Sequence, residues 1–327
     1  MSKLIVMVGL PASGKSTKAN ELAEQYNATV LSSDDIREEL LGNVNEQSQN
    51  TKVFEVMYKR AKDLLCKDKN VIIDATNINR KRRIHLIKNE LQADEYICHY
   101  IGSNIHYCLH RDNERERKVG YEVIDKMYRN MEIPLKEEGW NEVIYSYVDF
   151  ESPSYMIKLA NRLLQEEFES CEQFESCIED FDNEFNKIIG LSHDSQYHSF
   201  SVSRHTYYVY KEIEKLADFP HKEDLILASI YHDLGKAHCK SFENYKGEIK
   251  RYASFIGHEN VSAQLFYNYF MSFGFDIDRI IRVVKLIALH MKHYNNSAKT
   301  DKLLKQLLSE DEYLMLMMLN SADMIAK

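Results

Sequence analysis

Five apolar residues, Leu4-Ile5-Val6-Met7-Val8, pass directly into Gly9-Leu10-Pro11-Ala12-Ser13-Gly14-Lys15-Ser16 and then into a helix-forming stretch. The G-x-x-x-x-G-K-S spacing has a physical context that this order supplies. Its glycines let backbone N–H groups turn toward a phosphate, and the first turn of the following helix adds its positive dipole end. A strand, loop and helix in that order belong to an α/β architecture. The next stretches continue it: apolar runs at 4–8, 29–31, 70–73, 96–101 and 143–148 alternate with helical patterns near 15–26, 34–41, 50–68, 80–90 and 106–117. Strands of this Val/Ile-rich kind between helices predict a parallel sheet with helices on both faces.

After Pro153 the alternation stops. An acidic, helical-looking stretch follows, and from about 190 onward long helical patterns dominate, among them 224–234, 258–271, 278–291 and 311–326. A chain of 327 residues exceeds one ordinary core, so a division is expected. The expected units are an α/β domain over 1–152, an acidic helical connector over 153–190 and an all-α domain over 191–327. The net charge of −9 excludes a protein that coats nucleic acid non-specifically, though not one that grips a strand end locally. Six cysteines form no C-x-x-C pair, and no signal-peptide pattern is present. A reducing cytoplasm is therefore the expected location. No apolar run approaches the ~18 residues of a membrane span, so no membrane partner is expected.

In the first domain Lys15 is expected to reach the β- and γ-phosphates of ATP or another NTP, and Ser16 to ligate its Mg²⁺. Gly9, Ser13, Gly14 and Thr17 complete that nucleotide loop. Ser33-Asp34-Asp35-Ile36-Arg37 follows the second strand candidate, at the carboxyl edge where α/β ligands bind. A carboxylate there can orient an acceptor hydroxyl and take its proton, while Arg37 suits an acceptor phosphate. Asp74 and Asn77 close the third strand; Asp74 fits a position near Mg²⁺. Arg111, Arg115, Arg117 and Lys118 form a basic segment after the fourth strand, with 111 and 115 on one helical face as a lid over the transferring phosphate.

In the second domain the pair His232-Asp233 offers mixed nitrogen and oxygen ligands to a divalent ion. His205 precedes it, and His258, His290 and Asp323 follow. Asp323 stands in a run that is apolar nearly all round, 314–325, where an uncompensated carboxylate would be costly. His293 competes with His290, since both lie on one helical face. His193, His198, His221 and His238 are expected to be surface or structural residues.

Residues 1–150 resemble the 5′-hydroxyl polynucleotide kinases of phage and bacterial RNA repair, through G-L-P-A-S-G-K-S-T, S-S-D-D-I-R, D-A-T-N and the R-x-x-x-R segment. The resemblance implies Lys15 and Ser16 on ATP and Mg²⁺, Asp34 as general base, Arg37 on the acceptor's 3′ phosphate and Arg115 as the lid arginine at the transferring phosphate; Arg111 is expected at the nucleotide. Residues 195–327 resemble the HD phosphohydrolase superfamily. That resemblance implies one metal on His205, His232, Asp233 and Asp323, and a second on His258 and His290, with Asp233 bridging. Arg204 and Lys236 would be cations for the substrate phosphate. One or two divalent ions are expected, of Mn, Fe, Co, Ni or Mg type. The combined reading is a bifunctional enzyme that phosphorylates 5′-OH ends and removes 2′,3′-cyclic, 2′- or 3′-phosphate ends. Its expected partners are RNA ends ahead of DNA ends, with an RNA ligase acting downstream. Two alternatives stand beside it: a small-molecule or mononucleotide kinase fused to a nucleotide phosphohydrolase, and a nucleotide-sensing regulatory protein.

Overall fold

Strand β1 (Lys3–Gly9) lies at the centre of a five-stranded sheet with β2 (Ala28–Ser32), β3 (Asn70–Asp74), β4 (Glu95–Ser103) and β5 (Glu142–Val148). The order is β2-β3-β1-β4-β5 and every pairing is parallel. Leu4 through Val8 are fully buried because helices cover both faces, which is why β1 reads as a continuous apolar run rather than an alternating one. The chain divides into two units, Met1–Phe150 and Glu151–Lys327. This computed structural model describes residues 1–327 except 45, 47, 149–167, 180–182, 197–198, 245, 273, 293–296 and 327.

In the first unit the helices are α1 (Lys15–Tyr26), α2 (Ser33–Leu41), α3 (Asn50–Leu65), α4 (Arg80–His85), α5 (Ile105–Glu114) and α6 (Tyr121–Arg129). Helix α2 is capped by Ser32, whose hydroxyl accepts from the amides of Asp34 and Asp35. That cap fixes the D-D-x-R segment at the carboxyl end of β2. Helix α5 stops three residues short of the expected 106–117 span. The buried Asp112 carboxylate accepts from the amides of Val119 and Gly120, which turns the chain back. Arg115 therefore follows the helix in an extended conformation instead of sharing a helical face with Arg111.

Behind the β3 loop lies a buried ion network. Glu138 accepts from Arg83 Nε at 2.8 Å and Nη2 at 2.7 Å, and from Arg80 Nε at 3.1 Å. Arg83 in turn donates to the Asn77 carbonyl at 2.9 Å. Asn77 itself donates from Nδ2 to the Met7 carbonyl at 2.8 Å, so it ties the ends of β1 and β3 together.

The described residues of the second unit are helical: α7 (Cys171–Glu179), α8 (Asn183–Asn186), α9 (Val202–Glu214), α10 (Lys222–Tyr231), α11 (Lys236–Cys239), α12 (His258–Met271), α13 (Ile277–Leu289), α14 (Ala298–Leu307) and α15 (Glu310–Ile325). A small antiparallel hairpin, β6 (Ser241–Glu243) with β7 (Ile249–Ser254), interrupts them, and the sequence did not reveal it. The described part of the acidic segment belongs to this unit. Phe174 of α7 stacks on Tyr210 of α9 at 5.5 Å and meets Phe168 and Phe185 edge-on. Residues 153–167 of that segment lie outside the described residues. No helix among the described residues is long and apolar enough to cross a membrane.

Candidate nucleotide and metal sites

At the carboxyl edge of the sheet the loop after β1 is drawn against its neighbours. A Cβ on Gly9 would lie 2.8 Å from the Ile101 carbonyl oxygen, so only glycine fits. Gly14 has φ 95° and opens α1. Lys15 is buried, and its ammonium donates to the Leu10 carbonyl at 2.6 Å. Burial pulls its pKa down to about 8, with Asp74 opposing. The Ser13 hydroxyl is buried without a hydrogen-bond partner. A buried ammonium resting on a carbonyl beside an unmatched hydroxyl fits an anionic oxygen group better than a plain turn. Ser16 and Thr17 are exposed to the cleft.

Asp34 stands across that cleft. Its two oxygens accept from Arg37 Nη1 and Arg117 Nη1, each at 2.6 Å. Arg37 is buried and also donates to Asn50 Oδ1 at 2.9 Å. The sequence reading placed Arg117 only in a basic segment; its pairing with Asp34, across 83 residues, is a feature of the fold. Arg115 is exposed and lines the same cleft. Arg111 lies against the phosphate loop, its Nη1 3.3 Å from where a Gly14 Cβ would be. The cleft has a volume of ≈ 1680 Å³ and runs from Lys15 and Asp74 past Asp34 and Arg37 toward α3.

In the second unit, α9, α10, α12, α13 and α15 bring His205, His232, Asp233, His258, His290 and Asp323 together. His232 Nε2 and His205 Nε2 are 3.4 and 3.5 Å from Asp233 Oδ2. His258 Nε2 and His290 Nε2 are 3.3 and 3.9 Å from Asp233 Oδ1. Asp323 Oδ1 is 2.9 Å from His205 Nε2. Two overlapping groups with metal-holding geometry result, His205-His232-Asp233 and Asp233-His258-His290.

The opposite nitrogen of each ring is pinned. Nδ1 of His232, His258 and His290 faces the carbonyl three residues earlier, Ser229, Phe255 and Ile287, at 2.8, 2.8 and 2.7 Å. Nδ1 of His205 faces the Ala326 carbonyl at 2.8 Å. A carbonyl only accepts, so the proton sits on Nδ1 and each Nε2 presents a lone pair to the centre. Burial pushes His290 down to about 3, with His258 and His232 adding to it. Burial would raise Asp233, but His232 and Lys236 hold it well below the usual carboxylate range. The His232 Nε2 atom is buried with no hydrogen-bond partner. Four convergent imidazole nitrogens around a buried carboxylate fit divalent cations and suit Mn, Fe, Co or Ni as well as Mg.

Lys236 Nζ is 2.6 Å from Asp233 Oδ2 and 3.1 Å from His193 Nε2. His193 is buried and packs edge-on against His205. The sequence reading, which left it as a surface or structural residue, did not anticipate its contact with Lys236. His238 pairs with Glu184 at 2.6 Å, and His221 is at the start of α10. Arg204 is exposed over Phe200 and Tyr208, and its described contacts do not include the cluster. His198 and His293 lie outside the described residues.

Comparison with known proteins divides the chain in the same way. Residues 4–134 match the family model described as AAA domain, and residues 196–324 match that described as HD domain. The chain is a P-loop kinase-like domain followed by a helical HD domain. A stretch of 144 residues is 28% identical to the L-seryl-tRNA(Sec) kinase of Methanococcus maripaludis, covering 42% of this chain and 56% of that protein. The chain thus spans about half the length of this curated relative. Among solved structures, the Pnkp1/Rnl/Hen1 complex aligns with a TM-score of 0.31 and 22% identity, over 37% of this chain and 40% of the other.

Proposed function

We propose that this protein heals broken nucleic-acid ends, phosphorylating 5′-OH termini with ATP and removing 2′,3′-cyclic, 2′- or 3′-phosphates, on RNA ahead of DNA. One observation carries the reading. The kinase cleft is lined by ten lysines and arginines against four carboxylates, in a chain whose net charge is −9. Such local reversal of sign suits a polyanionic acceptor. In the kinase step the acceptor oxygen bonds to the γ-phosphorus, the bond to the β-γ bridging oxygen breaks, and the hydroxyl proton passes to Asp34. Lys15 and Arg115 offset charge on the transferred group, and the buried Arg37 grips the phosphate next to the acceptor sugar.

In the second unit, His205, His232, Asp233 and Asp323 would hold one divalent ion, and His258 and His290 a second, with Asp233 shared. Such ions lower the pKa of a bound water and offset phosphate charge. Lys236 brings a cation beside them, and the histidine tautomers keep the donor atoms preset. For a 2′,3′-cyclic end one water adds to phosphorus and one ribose oxygen leaves with a proton, giving a monoester. A second water then displaces the remaining ribose oxygen, which takes up a proton, and inorganic phosphate leaves the diol. An RNA ligase would then act on the resulting ends.

The test is end-group analysis of a cut RNA bearing a 2′,3′-cyclic phosphate on one fragment and a 5′-OH on the other. With ATP and a divalent metal, a 2′,3′-diol and a 5′-phosphate are expected. Lys15→Ala should stop only the second product, and Asp233→Ala only the first. Free nucleotides, sugars and seryl-tRNA serve as competing acceptors. If one of these is phosphorylated far better than a 5′-OH end, the end-healing reading fails.

A further inference from the structure

Helix α3 carries two stripes. Val53, Met57, Ala61 and Leu65 are buried in the first unit's core, while Asn50, Phe54, Tyr58 and Lys62 line the cleft. The second set is spaced by four residues, so its side chains form one row along the helix. The row begins at Asn50, which holds Arg37, and ends about 18 Å away at Lys62, taking 1.5 Å per residue. At its middle Phe54 and Tyr58 are half-buried with ring centroids 5.9 Å apart. Arg82 of α4 lines the same stretch of cleft and acts on the Tyr58 phenol, as does Glu90. Lys62 is 3.3 Å from that same Glu90.

We infer that the α3 row is the track for the strand behind the 5′ end, with bases of a single-stranded polynucleotide on Phe54 and Tyr58 and its phosphates at Lys62 and Arg82. The inference rests on the end-healing reading and extends it to the substrate's length. An aromatic pair offers a π-face to any base, and flanking cations follow the backbone without reading sequence. Length supports a strand rather than a small molecule. Stacked strand advances about 3.4 Å per nucleotide, so the row accommodates several nucleotides beyond the phosphate at Arg37. A sugar or mononucleotide would leave the row uncovered.

The experiment uses the full chain and 5′-OH oligonucleotides of increasing length, from a nucleoside 3′-phosphate to an octamer. Fluorescence anisotropy without ATP gives Kd, and phosphate transfer gives KM. Both should fall with length and then level off. Phe54→Ala and Tyr58→Ala should each weaken the longer strands about tenfold, as loss of a stacking partner does, while activity on the nucleoside 3′-phosphate stays unchanged. Tyr58→Phe should bind as the parent does. Lys62→Ala and Arg82→Ala should each flatten the salt dependence of log Kd by about 0.7, the single-strand slope per phosphate contact.

A nucleoside 3′-phosphate that performs as well as the octamer overturns the inference. So does length dependence that survives the aromatic changes, or polyglutamate binding as tightly as the octamer. If strands bind with the expected length dependence but their 5′ ends are not phosphorylated, the track stands and the end-healing reading falls.

Discussion

His193 Nε2 lies 3.1 Å from the Lys236 ammonium, which also rests 2.6 Å from Asp233 Oδ2. His193 Nδ1 faces the Phe200 carbonyl at 2.9 Å, so its proton is there and Nε2 accepts from the lysine. The ring thus offers Lys236 a second partner when cations claim Asp233. His193→Leu should lower kcat of phosphate removal about tenfold or more, in line with loss of one hydrogen bond to a charged group. Bound metal should be unchanged, and His193→Gln should recover part of the rate. Loss of metal in His193→Leu, or no difference between Leu and Gln, would count against this positioning role.

Gly235 sets how closely α12 approaches the His-Asp pair. A Cβ there would be 2.3 Å from the His258 carbonyl oxygen and 2.8 Å from the Ser262 amide. Both contacts are with backbone, so a side chain cannot be absorbed by a rotamer change. Gly235→Ala should cost about 1–3 kcal/mol of stability through overpacking. It should also weaken metal retention by moving His258. Elemental analysis and denaturant unfolding of the purified variant check both.

Glu138 is fully buried between Arg80 and Arg83. Removing its carboxylate leaves two buried guanidiniums uncompensated, and Arg83 is the side chain that holds the Asn77 loop. Glu138→Ala should destabilise the first unit by about 3–5 kcal/mol. Phosphate removal by the second unit should survive at temperatures where the kinase has unfolded.

His99 on β4 is buried, and burial with help from Lys18 holds its pKa at about 4. In the unfolded chain it titrates near 6.5. Between those values the unfolded state binds more protons, so stability is full above about pH 6.5 and is lost as pH falls toward 4. The loss is on the order of 3 kcal/mol. His99→Leu should remove this acid sensitivity, read as a smaller gap between denaturant midpoints at about pH 7 and about pH 4.5. An unchanged gap would show that other groups set it.

Much of the candidate site was legible because its residues ride on strong local signals. Lys15 follows a glycine loop between a buried run and a helix, and Asp323 is a carboxylate in an apolar helix. Those signals belong to one stretch of chain. Arg117 reaching Asp34, His193 reaching Lys236 and Glu138 reaching Arg83 depend on which stretches meet, and sequence spacing carries no trace of it. Glu138 sits among Lys136, Glu137 and Gly139 and reads as an exposed turn. The β6–β7 hairpin escaped for another reason. Most of its residues are exposed, so no alternation of buried and exposed positions marks it.

Three of the four cluster histidines take their orientation from a carbonyl three residues away, but His205 takes it from Ala326, 121 residues later. During synthesis the phosphate loop and all five strands of the kinase unit emerge before residue 205 does. A nascent chain stopped short of 326 would already contain every histidine of the cluster, yet His205 would lack the carbonyl that fixes its Nδ1. The orientation of His205 is therefore fixed only after α15 has docked beside α9, whatever the state of the kinase unit.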